Sequence, residues 1–153
     1  YNISTPLIFH LLDAIGAVTD LHIMVQKEVA DRMAAGPGDK AYGRLSVMVA
    51  LHAQVERLFH VGPGSFRPPP RADSTVIRIS PRVLTGVDLG KPGRFDELVR
   101  LAFTQRRKTL RRILNGRIDA EGIEACGIDP RARPETLSVS EFAALAVAVD
   151  AAT

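Results

Sequence analysis

The stretch VERLFHVGPGSFRPPPRADSTVIRI, Val55 to Ile79, decides how this chain is built. Val55–Val61 and Ser74–Ile79 are rich in β-branched and aromatic residues with partial alternation, which predicts two strands. Between them, Gly62-Pro63-Gly64 and Pro68-Pro69-Pro70 cannot continue a ladder, because proline lacks the N–H that a sheet requires. The segment is therefore predicted to be an extended loop of restricted freedom. It carries one aromatic, Phe66, just ahead of the second strand.

Working outward toward the N-terminus, Tyr42–Ala53 has Leu45, Val49 and His52 along one side of a predicted helix. Gly36-Pro37-Gly38-Asp39 reads as a loop by its turn chemistry. Gln26–Ala35 reads as a helix and Asp20–Val25 as a short buried strand. At the very start, YNISTP places Thr5 as a hydroxyl N-cap and Pro6 at the first position of a helix bearing Leu7, Ile8, Leu11, Leu12 and Ile15. Strand, helix, helix and two late strands make the second half of an α/β sheet, with too few strands for a complete doubly wound domain. The expectation is a portion of a longer protein.

Toward the C-terminus, Pro81–Gly93 reads as a linker and everything beyond it as helical. Phe95, Leu98, Val99 and Ala102 start one helix, and Leu110, Ile113 and Leu114 give the next an apolar face. Ser138 and Glu141 form an S-x-x-E capping box, flanked by Leu137 and Phe142 as a hydrophobic staple. The predicted organisation is residues 1–81 as the α/β part, 82–93 as linker and 94–153 as a small all-α domain.

Composition narrows the function. The 153 residues carry no apolar run of membrane-spanning length and no signal-peptide pattern at the start. The single cysteine, Cys126, leaves no internal disulfide and fits a reducing compartment, so a cytoplasmic protein is expected. The four histidines show no ligand spacing, and no metal site is expected. Neither a G-x-G-x-x-G nor a P-loop sequence occurs.

Net charge is only +3, but it is unevenly placed. Between Leu98 and Ile118 stand Arg100, Arg106, Arg107, Lys108, Arg111, Arg112 and Arg117 with no acid, which leaves the rest of the chain net acidic. A local excess of this kind points to a polyanion-binding surface. On a continuous helix Lys108, Arg111 and Arg112 would lie opposite the Leu110/Ile113/Leu114 face, with Arg107 on the flank. Arg106 would fall close to the apolar side, so either the helix breaks near Gln105 or Arg106 has a buried acceptor. Phe66 is open to two readings: an aromatic platform for a flat ligand, or a plug at the end of the sheet.

The segments YNISTPLIFHLL, MVQKEVADRM, AYGRLSV, FRPPPRADSTVIRI and AFTQRRKTLRRIL follow one another in the order and spacing of the KsgA-type ribosomal RNA adenine dimethyltransferases, which the chain resembles nearly throughout. The resemblance implies a Rossmann-like class I methyltransferase sheet, of which this is the second half, followed by a small helical RNA-binding domain. It implies S-adenosyl-L-methionine as cofactor and dimethylation of the N6 amines of two adjacent adenosines in small-subunit ribosomal RNA, during ribosome biogenesis. Tyr1 is similar to the last residue of the family's Asn-Leu-Pro-Tyr motif, and Phe66 to the aromatic of its F-x-P-x-P-K-V-x-S segment. Here Arg71 replaces the Lys and Ala72 the Val.

By that resemblance, Tyr1 and Phe66 stack on the target adenine, and Arg106, Arg107, Lys108, Arg111 and Arg112 bind RNA. The cofactor contacts are expected upstream of Tyr1, and the 153 residues alone are expected to be inactive. The partner is expected to be the immature small ribosomal subunit, met by a monomer. Two alternatives stand beside this: an RNA-binding ribosome-assembly factor acting by docking, and a large-subunit ribosomal RNA adenine methyltransferase of the macrolide-resistance type.

Overall fold

The computed structural model describes residues 3–153 and divides into two compact units. One holds the residues up to Ala35 together with Met48–Leu84; the other holds Gly36–Val47 and Thr85–Thr153.

In the first unit, β1 (Leu21–Gln26), β2 (Ala53–Val61) and β3 (Ser74–Pro81) form a three-stranded sheet in the order β1-β3-β2. The last strand in sequence is the central one and runs antiparallel to both neighbours. β1 and β2 therefore run parallel to each other, joined by a helical crossover of α2 (Lys27–Ala34) and α3 (Arg44–His52). β1 alternates along its length, with Leu21, Ile23 and Val25 more enclosed than His22 and Met24, and in the middle strand Ile77 and Ile79 are buried while Arg78 between them is exposed. Ile23 pairs with Ile77 and Val55 with Ile79, which fixes the register of the apolar face.

α2 packs across all three strands through a face that buries Ala30 and Met33. Its outer side is laced by i,i+4 pairs, Lys27 to Asp31 at 2.8 Å and Arg32 to Glu28 at 2.6 Å. β2 carries a bulge, since Arg57 pairs with Ile77 and Phe59 with Val76, leaving Leu58 as the extra residue. The bulge reverses which side chains face the core, and Phe59 is left 58% exposed.

The first helix, α1 (Ser4–Asp13), starts earlier than the hydroxyl cap expected at Thr5. Ile3 is the N-cap, without a side-chain capping bond, and its carbonyl accepts from the N–H of Leu7 at 2.9 Å. Pro6 is then the third helical residue, where the missing N–H is one that no intrahelical acceptor would have used. The aromatic expected at Tyr1 lies outside the described residues.

The second unit is helical: α4 (Arg94–Thr104), α5 (Leu110–Ile113), α6 (Ala120–Ala125) and α7 (Val139–Ala152). Phe95, Leu98, Val99 and Ala102 are buried at helical spacing, and α4 packs on α7, which has Phe142, Leu145, Ala146 and Val149 among its buried residues. The capping box forms as expected: Glu141 N–H donates to Ser138 Oγ at 3.2 Å, and Ser138 N–H to Glu141 Oε2 at 2.7 Å. Leu137 and Phe142 beside it are both buried.

Gly36–Val47 is held here by a long-range polar contact. Tyr42 Oη–H donates to the buried Leu137 carbonyl at 2.6 Å, and its ring meets Phe103 edge-on at 5.9 Å. Burial first, and the Glu141 charge second, push the Tyr42 hydroxyl pKa up to about 12. No helix among the described residues is long and apolar enough to cross a membrane.

Candidate nucleic-acid interface

Each unit carries one candidate feature. The first is the proline loop between β2 and β3. It leaves the sheet through a 3₁₀ turn, Pro63–Ser65, closed by Ser65 N–H to Gly62 O at 3.1 Å and Phe66 N–H to Pro63 O at 3.2 Å. Phe66 emerges from that turn in extended conformation and is half-buried. It is thus neither a fully enclosed core plug nor a free side chain, and its backbone is fixed immediately upstream.

The loop re-enters the sheet at Asp73, whose carbonyl accepts from the N–H of Lys27 at 2.8 Å and ties the loop to the start of α2. The Asp73 carboxylate lies 3.9 Å from His60 Nε2. Ser74, next along, is buried at the start of β3.

The second feature is the basic stretch. α4 ends at Thr104 with Gln105 as its C-cap, and α5 begins only at Leu110. The helix break is therefore the solution to the Arg106 problem, and the guanidinium finds acceptors that are not buried. Arg106 Nε–H donates to Glu135 at 3.2 Å and Nη2–H to the Lys40 carbonyl at 2.9 Å. Arg117 is also engaged, donating to Glu97 at 2.7 Å.

Arg107, Lys108, Arg111 and Arg112 are exposed and have no ion pair among the described residues. Four cations so placed raise a local positive potential that nothing in the same segment offsets.

The short α5 has no side-chain cap on Thr109, so its first donors need other acceptors. Leu110 N–H takes the Ala132 carbonyl and Arg111 N–H the Pro130 carbonyl, each at 2.9 Å. The segment Asp129–Arg133 is thereby docked against the start of α5. Two arginines that sequence reasoning passed over come with it. Arg131 is 88% exposed, with a long 3.5 Å contact to Asp129, and Arg133 is exposed with no ion pair among the described residues. The sequence signal was D-P-R-A-R, a basic pair outside the acid-free stretch, but only the backbone bonds reveal its neighbour.

A network of alternating charge braces this unit. Asp150 accepts from Arg94 Nε at 2.6 Å and from Lys91 N–H; Arg94 donates to Glu97 at 2.9 Å, and Glu97 accepts from Arg117. The Lys91 amide, then Arg94, hold the Asp150 carboxyl below its ordinary value, and Arg117, then Arg94, do the same for Glu97. These groups are internally satisfied and point to rigidity rather than ligand binding.

The family model for ribosomal RNA adenine dimethylase matches residues 1–150. A curated relative, ribosomal RNA small subunit methyltransferase A of Pseudomonas putida, is 51% identical over 146 residues, which cover 95% of this chain and 55% of the relative. The chain thus spans about half the length of that relative. Among solved structures, a dimethyladenosine transferase from Plasmodium falciparum superposes with a TM-score of 0.80 at 28% identity, covering 95% of this chain and 62% of that one. The 23S rRNA methyltransferase ErmE superposes with a TM-score of 0.68 at 23% identity, covering 98% of this chain and 62% of that one, and shares the fold.

Proposed function

Because the chain belongs to the ribosomal RNA adenine dimethylase family, we propose that it supplies the base-binding and RNA-docking parts of an S-adenosylmethionine-dependent enzyme. That enzyme dimethylates the N6 amines of two adjacent adenosines in small-subunit ribosomal RNA, acting as a monomer on the immature small subunit in the cytoplasm.

The observation that carries the reading is Phe66, half-buried on a fixed turn at the end of a sheet and stiffened on its far side by three prolines. An adenine amine is a poor nucleophile because its lone pair is conjugated into the ring. A base in a stacked RNA must also be taken out of its stack before it can react. A rigid aromatic face serves that need, since stacking on it is worth about 1–3 kcal/mol per base and requires no side-chain rearrangement. Tyr1 and Phe66 hold the two faces of the adenine, so that orientation, rather than a general base, does most of the work.

Arg107, Lys108, Arg111 and Arg112 grip backbone phosphates outside the pocket, as guanidinium forks and an ammonium point charge. Arg106, held by Glu135 and Lys40, fixes the turn that presents them. Within these residues the fit is to base and phosphate rather than to the cofactor, for the sequence contains no G-x-G-x-x-G turn. The cofactor supplies the methyl group.

The small-subunit reading is supported by 51% identity to the small subunit methyltransferase A of Pseudomonas putida. The test is a chimera in which this chain replaces the matching segment of the Pseudomonas putida relative. Phe66→Ala in that chimera should cut methyl transfer sharply and leave cofactor affinity unchanged. Equal loss of both would assign Phe66 to packing and overturn the reading.

A further inference from the structure

The proline loop carries two cations as well as its aromatic. Arg67 follows Phe66 directly and Arg71 stands four residues further on; both are exposed. Neither makes an ion pair or side-chain hydrogen bond among the described residues, in contrast to the bases on the helix and strands of the same unit. Lys27 pairs with Asp31, Arg32 with Glu28, Arg57 with Asp31 and Arg78 with Asp20. Among the described residues Arg82, beyond the end of β3, is the other lysine or arginine of the unit with no such pair.

From Gly62 to Ala72 the loop holds no acid, and the first one, Asp73, lies beside His60. Two unbalanced guanidiniums therefore sit within five residues of the aromatic, on backbone restrained by Pro68, Pro69 and Pro70. Restraint of that kind lowers the ordering cost of binding.

We propose that Arg67 and Arg71 bind the phosphates that flank the unstacked adenine, making the proline loop a combined base-and-phosphate clamp distinct from the basic surface of the helical unit. The inference rests on the base-binding reading of Phe66. A nucleotide turned out of its stack leaves its two phosphates splayed, and an aromatic face alone fixes the plane of the base but not its position along the strand. Bidentate guanidinium contacts on the phosphates fix that position. They also set where along the RNA the amine is presented.

The test measures binding of a short single-stranded RNA with two adjacent adenosines to the 153-residue chain across a salt series. Each neutralised phosphate contributes about 0.7 to the slope of log affinity against log salt for a single strand. The double variant Arg67→Gln/Arg71→Gln should lower that slope by about twice this amount. Phe66→Ala should weaken binding at every salt concentration with the slope unchanged. An unaltered slope in the double variant, with Phe66→Ala still weakening binding, overturns the phosphate clamp and leaves the stacking reading in place. A lower slope in the double variant with no effect of Phe66→Ala keeps the phosphate contacts and removes the stacking. Absence of binding by the unaltered chain at low salt overturns the clamp outright. Both arginines are exposed, so a thermal melt of the double variant serves as the folding control.

Discussion

Arg106 donates its Nε–H to Glu135 at 3.2 Å, while the backbone carbonyl of Glu135 accepts from Gly38 N–H at 2.7 Å. One residue thus ties the turn after α4 to the segment Gly36–Val47, and the most conspicuous arginine run in the sequence divides into a structural member and presented ones. Arg106→Gln should cost about 1 kcal/mol of stability, the scale of a half-exposed charged hydrogen bond, and leave the salt dependence of RNA binding close to that of the unaltered chain. Charge reversal at Arg107 and Arg111 should do the opposite. It should lower the salt slope by about 0.7 for each single-strand phosphate no longer neutralised, while the melting temperature stays nearly unchanged. Filter binding against salt and a thermal melt separate the two outcomes.

Tyr42→Phe removes the donor that satisfies the Leu137 carbonyl, in a site where the ring is enclosed. A buried acceptor left without a partner costs about 1–3 kcal/mol, so chemical denaturation should show a loss in that range with the fold retained. A loss near zero would mean that water replaces the hydroxyl.

Gly90 has φ +73°, and a Cβ there would overlap the Asp150 carboxylate and approach the Ala146 carbonyl at 3.3 Å. Gly90→Ala should therefore destabilise the helical unit by more than the ~1–2 kcal/mol of a left-handed non-glycine residue alone. Adding Asp150→Ala removes the obstacle but also the Lys91 and Arg94 hydrogen bonds, so the pair should be non-additive in a double-mutant cycle.

The same network sets a pH dependence. Asp150 and Glu97 have carboxyl pKa values below their ordinary 3.8 and 4.5 in the folded chain. The unfolded chain therefore binds more protons over that range, and stability rises with pH there. The contribution is complete above the ordinary values and is lost as pH falls through the depressed ones. A melting series from pH 6 down to about 2 should show the decline starting near pH 4.5 for Glu97 and near 3.8 for Asp150, and Asp150→Asn should flatten it.

Much of this was legible in the chain because it rests on local chemistry. The Ser138/Glu141 capping box, the proline break after Val61 and the strand beginning at Ser74 are each fixed by neighbours within a few residues. The start of α1 departs from the expected Thr5 because an N-cap without a side-chain bond leaves no signature in sequence, whereas Thr5-Pro6 imitates one.

What stayed hidden depends on contacts across long sequence separations. The docking of Asp129–Arg133 on the start of α5 is made by backbone groups, which carry no residue-specific signal. It alone brings Arg131 and Arg133 beside Arg111. The partner of Arg106 lies 29 residues away, although the clash of a charge with an apolar face announced that either the helix breaks there or Arg106 has an acceptor.

The most direct measurement of the central claim is methyl transfer by the chimera in which this chain replaces the matching segment of the Pseudomonas putida relative. With unmethylated small ribosomal subunits and labelled S-adenosylmethionine, mass mapping of the RNA should find two adjacent N6,N6-dimethyladenosines, and the 153-residue chain alone should incorporate no label. A chimera that folds and binds cofactor but leaves those adenosines unmodified, or that methylates large-subunit RNA instead, would contradict the account.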